Sequence, residues 1–464
     1  MSITNLTATQ LSVAIQQRQL RCVEVMQSYL GRIAELNPVY NAIVSMADEQ
    51  CLIEQAERAD DALSRGAYWG WMHGMPYAVK DLANVKGFET SMGSPIMSGV
   101  IAQSDDIHIA RIRNQGAIFI GKTNVPEFGL GSHTFNPVFG TTRCGLNAEL
   151  SAGGSSGGAG SALATRMLPV ADGSDMMGSL RNPAAFNDVI GFRPSVGRVP
   201  RTSSKGMFDS DMVTAGPMGR NVEDTVRLML TMAGFDQTDP MSLQESLPSY
   251  NEFEPRQLQG LRIGWLGDFN GHLAMEAGIL TLCESKLAAL IEQGANVEPS
   301  LPDFDMQHLW RAWVTLRQHT MAGMQEYLRE PKDRDRLSDD VVWEIENGVN
   351  VSSTQVNEAE AVRNSWRRCL ASVFQHYDLL ALPAAQVFPF KADIDWPRAI
   401  NDRKMDTYHR WMEVSIAATL SGFPVVSLPA GFDDTGRPAG LQFIGAMAKD
   451  KEVMEFAMAY EACI

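Results

Sequence analysis

Apolar residues first recur at helical spacing near the N-terminus. Leu11, Val13 and Ala14 give a short helix its apolar face, with Thr7 or Thr9 placed to cap it. The stretch from Cys22 to Leu36 repeats the spacing through Val23, Val25, Met26, Tyr29, Leu30 and Ile33. Asn37-Pro38 is expected to end it, because a residue before proline is driven out of the α region. A strand over 41–46 and an Ala/Glu-rich helix over 48–65 follow. From Pro76 the chain is extended, and its short apolar run ends on Lys80. Further on, the pattern predicts a helix over 105–116, strands over 117–121 and 189–192, and a helix over 222–233. Residues 235–259, rich in Asp, Pro, Ser and Glu, read as linker-like. A strand over 261–266, a helix over 276–293 and an extended piece at 297–302 come next. Residues 303–410 read as helix-rich, with Trp310, Trp313, Trp343 and Trp366, and a buried strand at 377–384. A strand–turn–strand over 423–444 and a helix over 451–462 complete the pattern.

Composition narrows the classes. The 464 residues carry a net charge of -16 and are 45% hydrophobic, an ordinary globular balance. Length alone suggests about three domains at ~150 residues each. Nucleic-acid partners are disfavoured, since they call for clustered Lys and Arg. No run of about 18 apolar residues is present, so no membrane span is expected. Six scattered cysteines without a CxxC pair, and no signal-like N-terminus, read as reduced thiols of a cytoplasmic protein.

The candidate chemistry lies between Ser151 and Arg181. Two Gly/Ser clusters, Gly153–Gly158 and Gly173–Ser179, flank an Ala/Leu-rich, helix-sized segment. Taken alone, each reads as a loop. Their apolar flanks argue instead that the chain visits one place twice, with backbone N–H groups and hydroxyls available to a ligand. Lys80 alone reads as a side chain snorkelling from a sheet end. Gly116–Thr123 matches the phosphate-loop spelling, but its middle, Ala-Ile-Phe-Ile, is β-prone and core-facing, and Val125-Pro126 interrupts any following helix. Nucleotide binding is rejected on that ground.

GGSSGG followed by GSDxxGSLRxPA resembles the signature of the amidase signature family of serine hydrolases. The likeness extends to Gly74–Asp81 (G-x-P-x-x-x-K-D), Gly121–Phe128, Asn187–Pro200, Thr214–Asp224 and Phe423–Ile444. It implies an α/β fold: a single large domain over 1–464 with a mixed central β-sheet covered by helices on both faces. Within it, 70–225 would be the catalytic core. The segment 129–146 would run beneath the site, and 303–410, with the Tyr/Trp group near 68–71, would shape the substrate pocket. The resemblance implies Ser179 as nucleophile, Ser155 as proton relay behind a cis peptide, and Lys80 as base. Backbone N–H groups of Met176, Met177, Gly178 and Ser179 would form the oxyanion hole. Ser156, Asp175 and Arg181 match accessory positions, with Asp175 and Arg181 paired to brace the loop. The family spelling D-[TI]-G-G-S is here Asp175-Met176-Met177-Gly178-Ser179, so a Met stands for a Gly. This departure is expected to matter little if no positive φ is required at position 177.

The chemistry has its own logic. Lysine is a base only when neutral, so Lys80 should be desolvated and among hydroxyls, with Asp81 turned the other way by strand alternation. The implied reaction is cleavage of a carboxylic amide through a serine acyl-enzyme, releasing ammonia or an amine. It uses a small-molecule substrate and no cofactor, metal, nucleic acid or membrane. A homodimer is compatible with the sequence and not specified by it. One rival is the glutamine-hydrolysing component of a tRNA-dependent amidotransferase. Another is a non-catalytic scaffold retaining the fold. A histidine-based hydrolase would want a GxSxG elbow reached by a buried strand, and none with that approach is found; only His133 lies near the clusters. No HExxH is present either.

Overall fold

The computed structural model describes residues 2–202 and 212–463. The strands that position the site are β1 (Pro76–Lys80), β2 (Ile118–Thr123), β3 (Val170–Asp175), β4 (Ile190–Arg193), β5 (Thr214–Gly219), β6 (Arg262–Trp265), β7 (Asn296–Pro299), β8 (Leu379–Pro383), β9 (Val425–Phe432) and β10 (Pro438–Ile444). Eight of them form one sheet in the order β7-β6-β8-β10-β9-β4-β5-β3. The pairs β7–β6 and β6–β8 are parallel. Every other pair is antiparallel, so the sheet is mixed. Strands β4, β8 and β10 are buried along their whole length, as expected where helices cover a sheet.

A smaller sheet holds β2 between β1 and the short strand Ile43–Val44. Strand β1 runs parallel to β2. It meets the large sheet at β3, where Asp172 accepts the Tyr77 hydroxyl at 3.1 Å and the Lys80 backbone N–H at 3.3 Å. One apolar core lies around the N-terminal helices and the small sheet, a second over the large sheet. The helix Arg181–Asn187 is wedged between them: Ala184 packs into the first, Ala185 and Phe186 into the second.

Four expectations from the sequence need correction. The second helix does not stop at Asn37-Pro38; it spans Cys22–Tyr40 and ends on Asn41 at φ 48. Pro38 falls in the last turn, where the Asn41 N–H still reaches Asn37 O at 2.8 Å, and the Asn37 side chain receives the N–H groups of Ala42 and Ile43. The strand after it shrinks to Ile43–Val44. Residues 235–259 are a packed connector rather than a linker, since Phe253 and Leu258 are buried in the second core. Finally, Gly173-Ser174-Asp175 belongs to β3, so the second Gly/Ser cluster is half strand and half turn.

Candidate active site

Strand β1 delivers Lys80 to the junction of the two sheets, where its side chain is about 1% exposed. The first Gly/Ser cluster passes above it. The Gly154–Ser155 peptide is cis, and the helix Gly157–Ala164 starts within the cluster. The Lys80 Nζ lies 2.9 Å from Ser155 Oγ, 2.7 Å from Ser156 Oγ and 3.1 Å from the Ser174 carbonyl. The second cluster is tied to the first, because the Ser156 N–H donates to Ser179 O at 3.3 Å. Gly173 makes this approach possible. A β-carbon there would sit 2.7 Å from Ser156 Oγ and 2.6 Å from Leu180 Cδ2.

The three neighbours of Nζ suit either protonation state. A neutral amine donates to the carbonyl and one hydroxyl and accepts from the other; an ammonium donates to all three. Burial pushes the amine down from 10.5 to about 7, against the opposing pull of Asp172 and Asp175. Neither carboxylate is an ion-pair partner of Nζ among the described residues. Asp172 is itself pushed up by burial to about 6, although the Lys80 and Tyr77 donors act to lower it.

Asp175 organises the turn that carries Ser179. Burial acts to raise its carboxyl, but Arg181, Arg193 and backbone donors hold it well below the usual carboxylate range. Arg181 binds it through Nε at 3.0 Å and Nη2 at 2.9 Å. The same guanidinium reaches Gln442 Oε1, Thr419 Oγ1 and Ser415 O, pinning the turn to the large sheet. Asp175 also accepts the N–H groups of Gly178 at 2.8 Å and Leu180 at 3.1 Å. This bears on the four N–H groups expected at the oxyanion hole. The Gly178 N–H is already engaged, so it serves the turn, while those of Met176, Met177 and Ser179 have no acceptor among the described residues. The positive φ of the turn falls at Gly178, +83, and not at Met177, so methionine is accommodated there without strain.

Ser155, Ser174 and Ser179 open on a cavity of about 120 Å³. Its walls are Leu82, Phe128, Leu130, Met176, Met177 and Met321, and Arg317 and His409 also face it. Leu130, Gly131 and Ser132 line it from the loop after 129, and Arg317, Thr320, Met321 and His409 from the region 303–410. The aromatic group near 68–71 does not line it: Tyr68 and Trp69 pack on the His73 ring, and Trp71 Nε1 donates to Thr231. His133 is structural, its ring held between Ser151 Oγ at 2.6 Å and Ala392 O at 3.1 Å. Lys122 lies on strand β2, 3.2 Å from Asp81, as a buried ion pair rather than a phosphate ligand. Asp81 thus does face away from Lys80. Among the described residues no three His, Cys, Asp or Glu side chains converge as metal ligands, and no helix is long and apolar enough to cross a membrane.

The sequence reading missed Asp172, Tyr77 and the Arg317 group. An acid inside the otherwise apolar, small-residue run Val170–Gly173 was the available signal for Asp172. Arg317 carried none, since its neighbours at helical spacing read only as helix.

A buried amine among serine hydroxyls, beside a serine on a braced turn, on this α/β scaffold, defines an amide-hydrolysing enzyme. The chain belongs to the amidase family, whose model matches residues 24–454. It is 31% identical over 468 residues to an acylamidase of Rhodococcus erythropolis, covering 98% of this chain and 95% of that one. It is 30% identical to a glutamyl-tRNA(Gln) amidotransferase subunit of Cyanothece sp., covering 94% of each. The crystal structure of a bacterial aryl acylamidase of the amidase signature family superimposes with a TM-score of 0.93, at 28% identity, over 99% of this chain and 96% of that one.

Proposed function

We propose that the protein cleaves a carboxylic amide C–N bond by a Ser179 acyl-enzyme, with Ser155 as relay and Lys80 as base. The observation that carries this reading is the placement of the Lys80 amine: buried, in contact with two hydroxyls and a carbonyl, two of whose residues, Ser155 and Ser174, line the cavity that holds Ser179. Neutral Lys80 takes the Ser155 proton, and Ser155 takes that of Ser179 as its oxygen attacks the carbonyl carbon. The tetrahedral oxygen is received by the N–H groups of Met176, Met177 and Ser179, and each such donor is typically worth about 3 kcal/mol in the transition state. The ammonium then returns its proton through Ser155 to the leaving nitrogen, and water repeats the path to free the acid. Ser156 holds Lys80 in register, and Asp175 with Arg181 holds the turn. All of these residues fall within 70–225, the segment we assign as the catalytic core, and the helices of 303–410 complete the pocket. Six cysteines free of disulfides suit a reducing, cytoplasmic setting.

The test is labelling with a fluorophosphonate, together with release of amine from a panel of aryl, aliphatic and amino-acid amides. Wild type should label and turn over, and Ser179→Ala should do neither. An unlabelled wild type without turnover would return the protein to the scaffold reading. The likeness to an amidotransferase component keeps one second reading in play, hydrolysis of glutamine within a complex. Glutaminase activity, or co-purification of a stoichiometric partner protein, would select it.

A further inference from the structure

The cavity holds polar groups that the mechanism above leaves unused. Arg317 is about 4% exposed. Its Nε is paired with Glu344, and its Nη2 donates to the Tyr408 hydroxyl at 2.6 Å. Among the described residues, its Nη1 finds only the Met176 thioether, at 3.6 Å. Sulfur is a weak acceptor, and guanidinium offers five N–H donors. Beside it His409 is about 3% exposed, boxed by Trp310, Trp313, Trp343 and Tyr408; neither ring nitrogen has a hydrogen-bond partner among the described residues, Glu344 Oε1 standing 3.9 Å from Nε2. Both Arg317 and His409 face the cavity that contains Ser179. Buried donors left this way are costly, and a native site that keeps them calls for a ligand that meets them.

Charge selects the ligand. Glu344 already balances Arg317. Burial, with Arg317 and Arg410 nearby, keeps the His409 ring uncharged, well below its ordinary value. A carboxylate would add a second negative charge to a neutral, buried cluster, whereas an uncharged oxygen accepts the free N–H groups without one. Met176 links this cluster to the chemistry: its backbone N–H is a candidate oxyanion donor, and its side chain ends on Arg317.

We propose that Arg317 and His409 form a specificity subsite that binds an uncharged acceptor oxygen of the amide substrate, remote from the scissile bond. The inference rests on the amidase reading of this cavity. The oxygen can belong to the acyl chain or to the amine portion, and the probes separate the two. Calorimetric binding to the Ser179→Ala protein is measured for hexananilide, 5-oxohexananilide, 4′-acetylhexananilide and glutaranilic acid. One of the two ketones should bind about tenfold or more tightly than hexananilide, the size expected for a bond to a charged donor. The acid should bind no tighter than hexananilide. Adding Arg317→Met with Glu344→Gln, which removes the ion pair as a unit, should bring that ratio close to one. Arg317→Lys, which keeps the charge but loses Nη1, should do the same and covers failure of the double substitution to fold. Equal binding of all four amides, as a resident water would give, overturns the proposal. So does tightest binding of the acid, a ketone preference that survives both variants, or no binding of any probe. These readings are made on inactivated protein, so they stand apart from the catalytic assignment, which fails separately if wild type neither labels nor turns over.

Discussion

The base assignment makes a strict demand on pH. If Lys80 must be neutral to act, kcat/KM should fall about tenfold per pH unit below its pKa and level off above it. With the amine pushed to about 7, roughly nine-tenths of it is neutral at pH 8, against well under one-hundredth for a lysine at its ordinary value, a gain of about 300-fold in usable base. The perturbation that tests the cause is Asp172→Asn. The Asp172 carboxylate favours the ammonium form, and it lies beneath the Lys80 backbone as acceptor for Lys80 N–H and the Tyr77 hydroxyl. Asparagine keeps an acceptor oxygen and removes the charge, so burial acts unopposed by it. The inflection should move to lower pH. The assay is initial rate of aniline release across pH 5.5 to 9.5, with circular dichroism confirming fold at each end. A rate still rising tenfold per unit up to pH 9.5, a flat profile from pH 6 to 9, or an inflection that rises in Asp172→Asn would refute the reasoning.

Other substitutions probe the remaining parts of the site. Ser155→Ala should lower kcat by orders of magnitude yet less than Ser179→Ala, read from single-turnover rates; equal rates in Ser155→Ala and wild type would remove it from the relay. Gly173→Ala should cut kcat at least tenfold in folded protein, because its new methyl collides with Ser156 Oγ and Leu180; unchanged turnover would show that Ser156 does not steady the base. Lys122→Met leaves Asp81 buried and unpaired, and should cost about 3–5 kcal/mol in urea unfolding while folded molecules keep their activity. A loss of turnover without loss of stability there would transfer a catalytic role to the wrong lysine.

Much of this was legible in the residues, and the limits have physical causes. The order Lys80, Ser155, Ser179 and the bracing pair Asp175–Arg181 came from the resemblance to the amidase signature family; the residues alone said only that glycines and hydroxyls in two clusters mark backbone that must come close. Helix and strand positions followed from apolar period. What failed was local. Proline punctuation over-ruled a helix whose last turn tolerates Pro38, because only one backbone bond is lost there. The Gly-rich spelling of 173–175 hid a strand, since glycine is normally weak in strands and here is kept for the Ser156 hydroxyl. That the Asp175 side chain bends back onto the Gly178 N–H, one of the four donors the resemblance implied, is also beyond spelling. The Arg317 cluster was invisible for a different reason. Its members come from residues 176, 317, 344, 408 and 409, and only the folded chain makes them neighbours.

Two lysines on adjacent strands show what turns a buried amine into a base. Lys80 ends β1, and Lys122 stands one residue before the end of β2 in parallel register with Val79. Both are fully buried, and burial lowers both. Depth therefore does not separate them; the partners do. Lys122 has a carboxylate at 3.2 Å, a carbonyl at 2.7 Å and a threonine hydroxyl at 3.3 Å, and the carboxylate opposes loss of its proton. Lys80 has two hydroxyls and a carbonyl in contact, while its carboxylates act only through space. A hydroxyl can give its hydrogen to the amine or take one from it, so proton transfer leaves every contact of Lys80 satisfied. In the Lys122 pair the same transfer would dissolve the ion pair that justifies its burial. The strand alternation that turns Asp81 toward Lys122 and away from Lys80 is thus what separates a structural lysine from one free to exchange its proton.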